Sequence, residues 1–202
     1  VGSTLDSGTE LLPFGGSAIV TRGFLDEADA ATAFDRLLVE VPWEDHDVVV
    51  FGRVHREPRR SSWMATDGTP YPYAGRVRVA SPFTPLVAEL GQRCSTTVGE
   101  RFDSVLANLY RDGRDGMGWH SDDEALHGRE PTIASLSLGA VRRFALRHRR
   151  TRETVRIDLE PGSLLVMSGR CQEEWVHSIP KTTRQVGPRI NLTFRRLARR
   201  EG

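Results

Sequence analysis

The 202-residue chain is short of cysteine, of lysine and of long apolar runs. Cys94 and Cys171 are its two cysteines, too few for a disulfide framework or for a zinc cluster of cysteines alone. No stretch approaches the roughly 18 consecutive apolar residues that a membrane-spanning helix needs. No basic-then-apolar signal opens the sequence. These absences point to a cytoplasmic location, the bacterial cytosol or nucleoid (or a nucleus in a eukaryote), with no membrane partner. The hydrophobic share, 38%, excludes a wholly disordered chain, and the length suits one domain with a sizeable core.

Net charge is also scarce, a formal +1, but it is unevenly spread. Residues 1–50 hold ten acids against two bases, a net −8. The remaining 152 residues hold 26 bases against 17 acids, a net +9. Lys181 is the one lysine, so the cationic part is an arginine surface. A GC-rich coding bias would produce that preference, yet arginine also suits bidentate contacts with phosphate and carboxylate. A polyanionic partner is compatible with the basic part.

What is present organises into three stretches. Residues 1–16 are rich in Gly, Ser and Thr and read as a flexible leader; residues 17–202 read as one domain. Asp26 and the alanine-rich run after it, with Phe34, Leu37 and Leu38 at helical spacing, predict a helix ending before Pro42. Asp47–Phe51 is a short strand candidate, 53–75 reads as irregular, and Arg76–Val79 as a strand. Pro85–Cys94 predicts a second helix. From Val105 onward seven short strand-like runs follow at close spacing: 105–110, 133–138, 142–148, 154–159, 163–167, 175–179 and 189–196. That pattern predicts a sandwich or barrel, and so an α+β chain in which two helices feed an all-β half.

Two patterns carry chemistry. In His120-Ser121-Asp122 the first and third side chains point the same way on extended backbone, so imidazole and carboxylate can converge on one point. A third ligand has to come from His46, His55, His127, His148 or His177. His177 is favoured because it lies in the later run 175–179. Two histidines and a carboxylate with open positions is the donor set of non-haem Fe(II) oxygenases; the alternative is a hydrogen-bonded pair on a surface loop. The second pattern is Arg189-Ile190-Asn191-Leu192-Thr193-Phe194-Arg195. Its odd positions are polar and its even positions apolar, which fits either a solvated edge strand or a cavity wall gripping a dianion. Asn108-Leu109-Tyr110 repeats the alternation.

These residues together resemble the AlkB family of Fe(II)- and 2-oxoglutarate-dependent dioxygenases. The likeness runs through Asn108–Tyr110, Asp112-Gly113, His120–Glu124, Ile133–Gly139, Gly162–Leu165, His177–Pro180 and Pro188–Arg195, and covers roughly residues 46–197. It is closest to the duplex-DNA-repair branch. It implies a double-stranded β-helix (jelly-roll) core over about 105–197 with a nucleotide-recognition lid over about 50–80. It implies His120, Asp122 and His177 as Fe(II) ligands, and Asn108, Tyr110, Arg189, Asn191, Thr193 and Arg195 around 2-oxoglutarate, with O₂ as the other substrate. Arg189 is expected at the distal carboxylate of the cosubstrate, and Arg195 near the chelating end or orienting Asp122.

The same resemblance assigns the substrate side. Phe51 and Gly52 correspond to an apolar finger that fills the gap left by an extruded base; an inserted wedge and a flipped base each cost roughly a few kcal/mol of unstacking. Pro58-Arg59-Arg60 is similar to a turn touching the nucleic-acid backbone, with Arg53, Arg56, Arg76 and Arg78 extending its charge. Tyr73 would stack on the base, Tyr71 would offer its hydroxyl to base or phosphate, and Asp123 would meet the exocyclic amine or the charged ring. Seven arginines lie in the fifteen residues 142–156, and Arg147 and Arg149 among them resemble a grip on the opposite strand. The implied activity is demethylation of N-alkylated bases of the 1-methyladenine and 3-methylcytosine type in DNA. The same chemistry on RNA or tRNA bases, and an inactive nucleic-acid-binding module, are the alternatives. A monomer is expected.

Overall fold

The computed structural model describes residues 8–50, 53–73 and 76–198, apart from the side chains of 48–50, 73 and 76. The strands are β1 Thr9–Glu10, β2 Ser17–Thr21, β3 Glu44–Val50, β4 Arg53–Ala65, β5 Tyr71–Tyr73, β6 Arg76–Arg78, β7 Ser104–Tyr110, β8 Met117–His120, β9 Ile133–Gly139, β10 Arg142–His148, β11 Thr154–Leu159, β12 Leu164–Ser168, β13 Trp175–Ile179 and β14 Arg189–Arg195. The helices are α1 Glu27–Glu40, α2 Pro85–Val98 and the short α3 Cys171–Glu174. Among the described residues no helix is long and apolar enough to cross a membrane.

The two long helices start and stop where local chemistry says they should. Asp26 caps α1 by accepting from Asp29 N at 2.7 Å. Thr84 caps α2, Pro85 opens it, and Gly99 closes it in the left-handed conformation; its last residue, Val98, lies four residues beyond the predicted end. Ala30, Ala33 and Leu37 form the buried stripe of α1, whereas Leu38 is exposed.

All main-sheet pairs are antiparallel. One sheet runs β1-β2-β12-β9-β14-β7-β4-β3; a second runs β11-β10-β13-β8; β5 and β6 form a separate hairpin. The helices pack on one face of the large sheet, against Ala107, Leu109, Leu136, Leu138, Ile190, Leu192 and Phe194. Its other face meets the small sheet through Tyr110, Ile133, Phe144, Leu146, Met167, Trp175 and Ile179. Two antiparallel sheets face to face are the expected jelly-roll core.

Three expectations are corrected. First, 8–16 is no leader. β1 pairs with β2, Leu12 is buried, and Glu10 Oε1 accepts from the backbone of Leu11, Leu12 and Ala18. Trp175 Nε1 also donates to Phe14 O at 3.1 Å; residues 1–7 lie outside the description. Second, 53–65 is not irregular but a thirteen-residue strand. Its second half pairs with β7 from Arg60↔Leu109 to Ala65↔Ser104. The expected lid over 50–80 therefore shares its middle with the main sheet. Third, the helices do not precede the strands, since β1 to β4 flank α1 and join the large sheet.

Gly162 ties the helix layer to the sheet. Its φ is +76°, and its O accepts from Leu25 N at 3.0 Å. A Cβ there would collide with the Leu25 carbonyl oxygen. Gly162→Ala combines a positive φ with that collision and is expected to lower the unfolding free energy by about 2 kcal/mol, read as a lower urea midpoint.

Candidate metal centre and anion pocket

β14 sits between β7 and β9, and all seven of its residues are buried. The solvated edge-strand alternative is thereby excluded. Strand alternation sends Ile190, Leu192 and Phe194 to the helices, and Arg189, Asn191, Thr193 and Arg195 into the cavity between the sheets. Register completes the wall, because Arg189 faces Tyr110 and Asn191 faces Asn108 across β7. Across β9, Asn191 faces Ser137 and Thr193 faces Ser135.

The metal group forms at the rim of the same cavity. His177 on β13 pairs in register with His120 on β8. Asp122 follows two residues after His120. One ligand atom from each of His120, Asp122 and His177 lies within 4.8 Å of the others. The His120 Nε2 and His177 Nε2 atoms each stand 3.8 Å from an Asp122 oxygen. His46, His55, His127 and His148 do not join them. His177 and Asp122 are buried, while His120 is partly exposed.

The charge states suit a divalent cation. Burial alone would raise the Asp122 pKa, but Arg195, ahead of His177 and His120, holds the carboxyl well below its usual range. Arg195 Nη2 donates to Asp122 Oδ2 at 2.7 Å. Burial pushes the His177 imidazole down to about 3, so it is neutral and its lone pair is available. Phe144 stacks on His177 with centroids 5.4 Å apart. The backbone N–H of Asp122 donates to Gln172 Oε1 at 2.9 Å, a buried support that nothing in the sequence marked.

Arg189 marks the other end of the cavity. Its Nη2 donates to Ser137 Oγ at 2.9 Å, and its guanidinium stands 5.4 Å from the Tyr110 ring centroid. Burial lowers its pKa to about 10, so it remains charged at neutral pH. The buried Nε and Nη1 of both Arg189 and Arg195 lack a hydrogen-bond partner. Unanswered charged donors in a closed cavity call for an anion. Asn191 and Thr193 are partly committed: Asn191 Nδ2 donates to Ser135 Oγ and Leu136 O, and Thr193 Oγ1 donates to Asn191 Oδ1. The donor set fits Fe(II), and the arginine-ended cavity fits a dicarboxylate.

The expected substrate residues divide. Asp123 is exposed, with Arg149 Nη2 3.5 Å from its Oδ2 and 2.6 Å from Ser121 Oγ. Arg147 lies 4.1 Å over the ring of Trp119, the neighbour of His120. Arg147 and Arg149 thus flank the metal centre, and Arg53 is exposed on β4. Arg60 is half-buried and donates to Trp43 O at 2.6 Å.

Other assignments fail. Arg59 is buried and donates to Asn108 Oδ1 at 2.8 Å, so it does not face a nucleic-acid backbone. Arg78 is buried against Glu57 and Ser61. Arg142 is buried and donates to three backbone carbonyls, and Arg143 pairs with Asp158; neither is part of a free basic face. Tyr71 lines the cavity, but its hydroxyl donates to Glu124 Oε1 at 2.5 Å rather than standing free for a base. Glu124, the last residue of the His120–Glu124 stretch, thereby has a partner that the motif alone does not reveal. Phe51, Gly52 and the side chains of Tyr73 and Arg76 lie outside the described residues.

Comparison with known proteins agrees with this geometry. The family model of the 2OG-Fe(II) oxygenase superfamily matches residues 17–195. The human alkB homolog 3, an alpha-ketoglutarate-dependent dioxygenase, is 37% identical over 183 residues, covering 86% of this chain and 63% of that protein. The chain thus spans less than two thirds of the length of these alkB homolog 3 relatives. The DNA oxidative demethylase ALKBH2 of Arabidopsis thaliana is 34% identical over 211 residues, covering 91% of this chain and 67% of that protein. The solved structure of OsALKBH1 superposes with a TM-score of 0.68 at 15% identity, covering 92% of this chain and 99% of that one, a likeness of fold.

Two measurements follow. Arg189→Gln should weaken 2-oxoglutarate binding to the metal-loaded protein about tenfold or more, the order of a lost charged pair, by titration calorimetry. The second concerns His127, whose imidazole is pushed down from 6.5 to about 3 by burial, with the charge of Arg195 adding to it. The unfolded chain takes up that proton below pH 6.5 and the folded one does not. Its contribution to stability is therefore full above pH 6.5 and is lost as pH falls towards 3. His127→Gln should flatten the decline of unfolding free energy between those limits, measured by urea titration across pH.

Proposed function

The chain belongs to the 2OG-Fe(II) oxygenase superfamily, on its AlkB branch, and from that membership we propose that it removes methyl groups oxidatively from ring nitrogens of bases in DNA. The observation that carries this reading is one buried cavity holding both halves of the machinery. The His120, Asp122 and His177 donors stand at its rim, and Arg189, with unanswered buried N–H groups, stands at its far end.

His120, Asp122 and His177 would hold Fe(II) from one side. Arg195 keeps Asp122 ionised without occupying a ligand position of its own. Arg189 receives the distal carboxylate of 2-oxoglutarate, with Asn108 and Tyr110 beside it on the cavity wall. When bound, Fe(II) with 2-oxoglutarate and O₂ supplies the oxidising chemistry that hydroxylates the N-methyl carbon, after which the carbinolamine releases formaldehyde. Phe144 and the neighbouring apolar side chains exclude water from the reacting centre.

The substrate reading rests on charge near the rim. Glu124 reaches the cavity through Tyr71, and Asp123 stands outside it. Burial raises the Tyr71 pKa, so the phenol stays protonated and keeps the Glu124 carboxylate as an acceptor. A base carrying a ring methyl and a positive charge is drawn to a carboxylate and to aromatic faces, and an ordinary base is not. Arg149 and the exposed Arg150 and Arg152 offer phosphate contacts beside the metal centre, giving affinity without sequence readout. Phe51, as a finger, would favour duplex substrates. We place the protein, as a monomer, in the compartment that holds DNA.

The test is mass spectrometry on matched 1-methyladenine and 3-methylcytosine oligonucleotides, DNA and RNA, single- and double-stranded. Formaldehyde release dependent on Fe(II) and 2-oxoglutarate is expected, with at least a thousandfold loss in His120→Ala or Asp122→Ala, since the donors act as a unit. Turnover on RNA alone would move the substrate to RNA. No turnover on any oligonucleotide would leave a binding module and sink the reading.

A further inference from the structure

Glu57 is 1% exposed, on β4 three residues before its ladder with β7 begins. Two arginines answer it. Arg78 Nη2 donates to its Oε1 at 2.8 Å, and Arg59 Nη2 lies 3.2 Å from its Oε2. A charged cluster taken out of water gains little over apolar packing of the same volume, so stability alone is a poor reason for it. Its two ends give a better one.

Arg59 Nε donates to Asn108 Oδ1 at 2.8 Å. An N–H donor on that oxygen fixes the amide, leaving the Nδ2 donors for the cavity that Asn108 lines. A dicarboxylate needs donors there, and the reversed amide would present an acceptor. At the other end, Arg78 is the cross-strand partner of Tyr71 in the β5–β6 hairpin. Among the described residues, that hairpin shares no ladder with either main sheet. Backbone bonds between Ser81 and β4 anchor the chain three residues beyond it, and the hairpin itself is held by side-chain contacts, among them the buried pair from Arg78 to Glu57. Tyr71 in turn holds Glu124, two residues beyond Asp122.

We infer that Glu57 is a positioning residue that ties the substrate hairpin to the cosubstrate wall, through Arg78 on one side and through Arg59 and Asn108 on the other. The inference rests on the proposed dioxygenase reading for what each end meets. Its consequence is coupling: cosubstrate turnover stays matched to a seated base because one carboxylate sets both walls. Without it, 2-oxoglutarate and O₂ still give succinate and CO₂, but the second oxygen atom, instead of entering the methyl group, leaves as water with two electrons and two protons from a reductant such as ascorbate.

Two variants separate the arms in the 202-residue, Zn(II)-loaded protein, whose diamagnetic ion leaves ¹⁹F resonances sharp. Trp63 stacks on Tyr71 with ring centroids 4.5 Å apart, so a 5-fluorotryptophan label at Trp63, assigned with Trp63→Phe, reports the hairpin seat by ¹⁹F NMR. Arg78→Gln should shift or broaden the Trp63 resonance and leave the 2-oxoglutarate dissociation constant within about twofold, because the Asn108 arm is intact. Glu57→Gln should move the same resonance and raise that constant about tenfold. With Fe(II), ascorbate as the reductant for uncoupled turnovers, and a methylated oligonucleotide, both variants should form several succinates per formaldehyde where the parent forms about one. A Glu57→Gln protein with an unmoved Trp175 resonance (hence folded), a parental Trp63 resonance and parental cosubstrate affinity overturns the inference. If Glu57→Gln does not fold, Arg78→Gln decides alone, and an unmoved Trp63 resonance overturns it. If the parent releases no formaldehyde from any substrate, the functional reading fails, while the resonance and the dissociation constant still decide the role of Glu57.

Discussion

The site depends on the contact between Arg195 and Asp122. A carboxylate buried beside two imidazoles would ordinarily take a proton, and a protonated acid is a poor ligand for a cation. Arg195 prevents this, and it can do so only because β14 is a central strand whose alternate residues face the cavity. The same alternation carries Arg189 to the other end of that strand. One seven-residue strand thereby fixes the charge of a metal ligand and the position of an anion grip. The five residues between them set the distance between the two ends.

That strand was readable in the sequence because its information is local. Period-two alternation, the H-x-D spacing and the run 175–179 each lie within a few residues, and the fold joined them as those patterns implied. The strands 142–148, 154–159 and 175–179 agree with their expected bounds for the same reason. β4 was not readable. Its first half is polar on both faces and includes Pro58, so no periodicity separates it from a loop, and its strand character comes from pairing with β3 and β7. The burial of Arg59, Arg78 and Arg142 was equally hidden. An arginine is taken as exposed unless a partner accounts for it, and Glu57, Asn108 and the carbonyls around Asp112 become partners only after folding. Gln172 leaves no motif because it acts through the backbone of Asp122.

The lopsided charge of the chain also resolves in space. Acids of the first fifty residues meet arginines of the rest. Asp45 lies against Arg56, Arg60 and Arg111, and Asp29 against Arg93. The −8 segment is thus partly a counter-charge to the basic half, and it leaves the arginines at 147–152 as the less compensated part. A charge total summed along a chain says little about a surface until one knows which residues fold onto which.

His120 stands apart from the other two donors. It lies at the edge of the small sheet, on β8, with part of its ring in solvent, while Asp122 and His177 are enclosed. Two donors are thus set into the frame and the third hangs at its margin, like the swinging side of a clasp. The donor set is open to solvent on that side and closed on the other. Access to the donors is then a property of a sheet edge, separate from the enclosed residues that hold the other two in place.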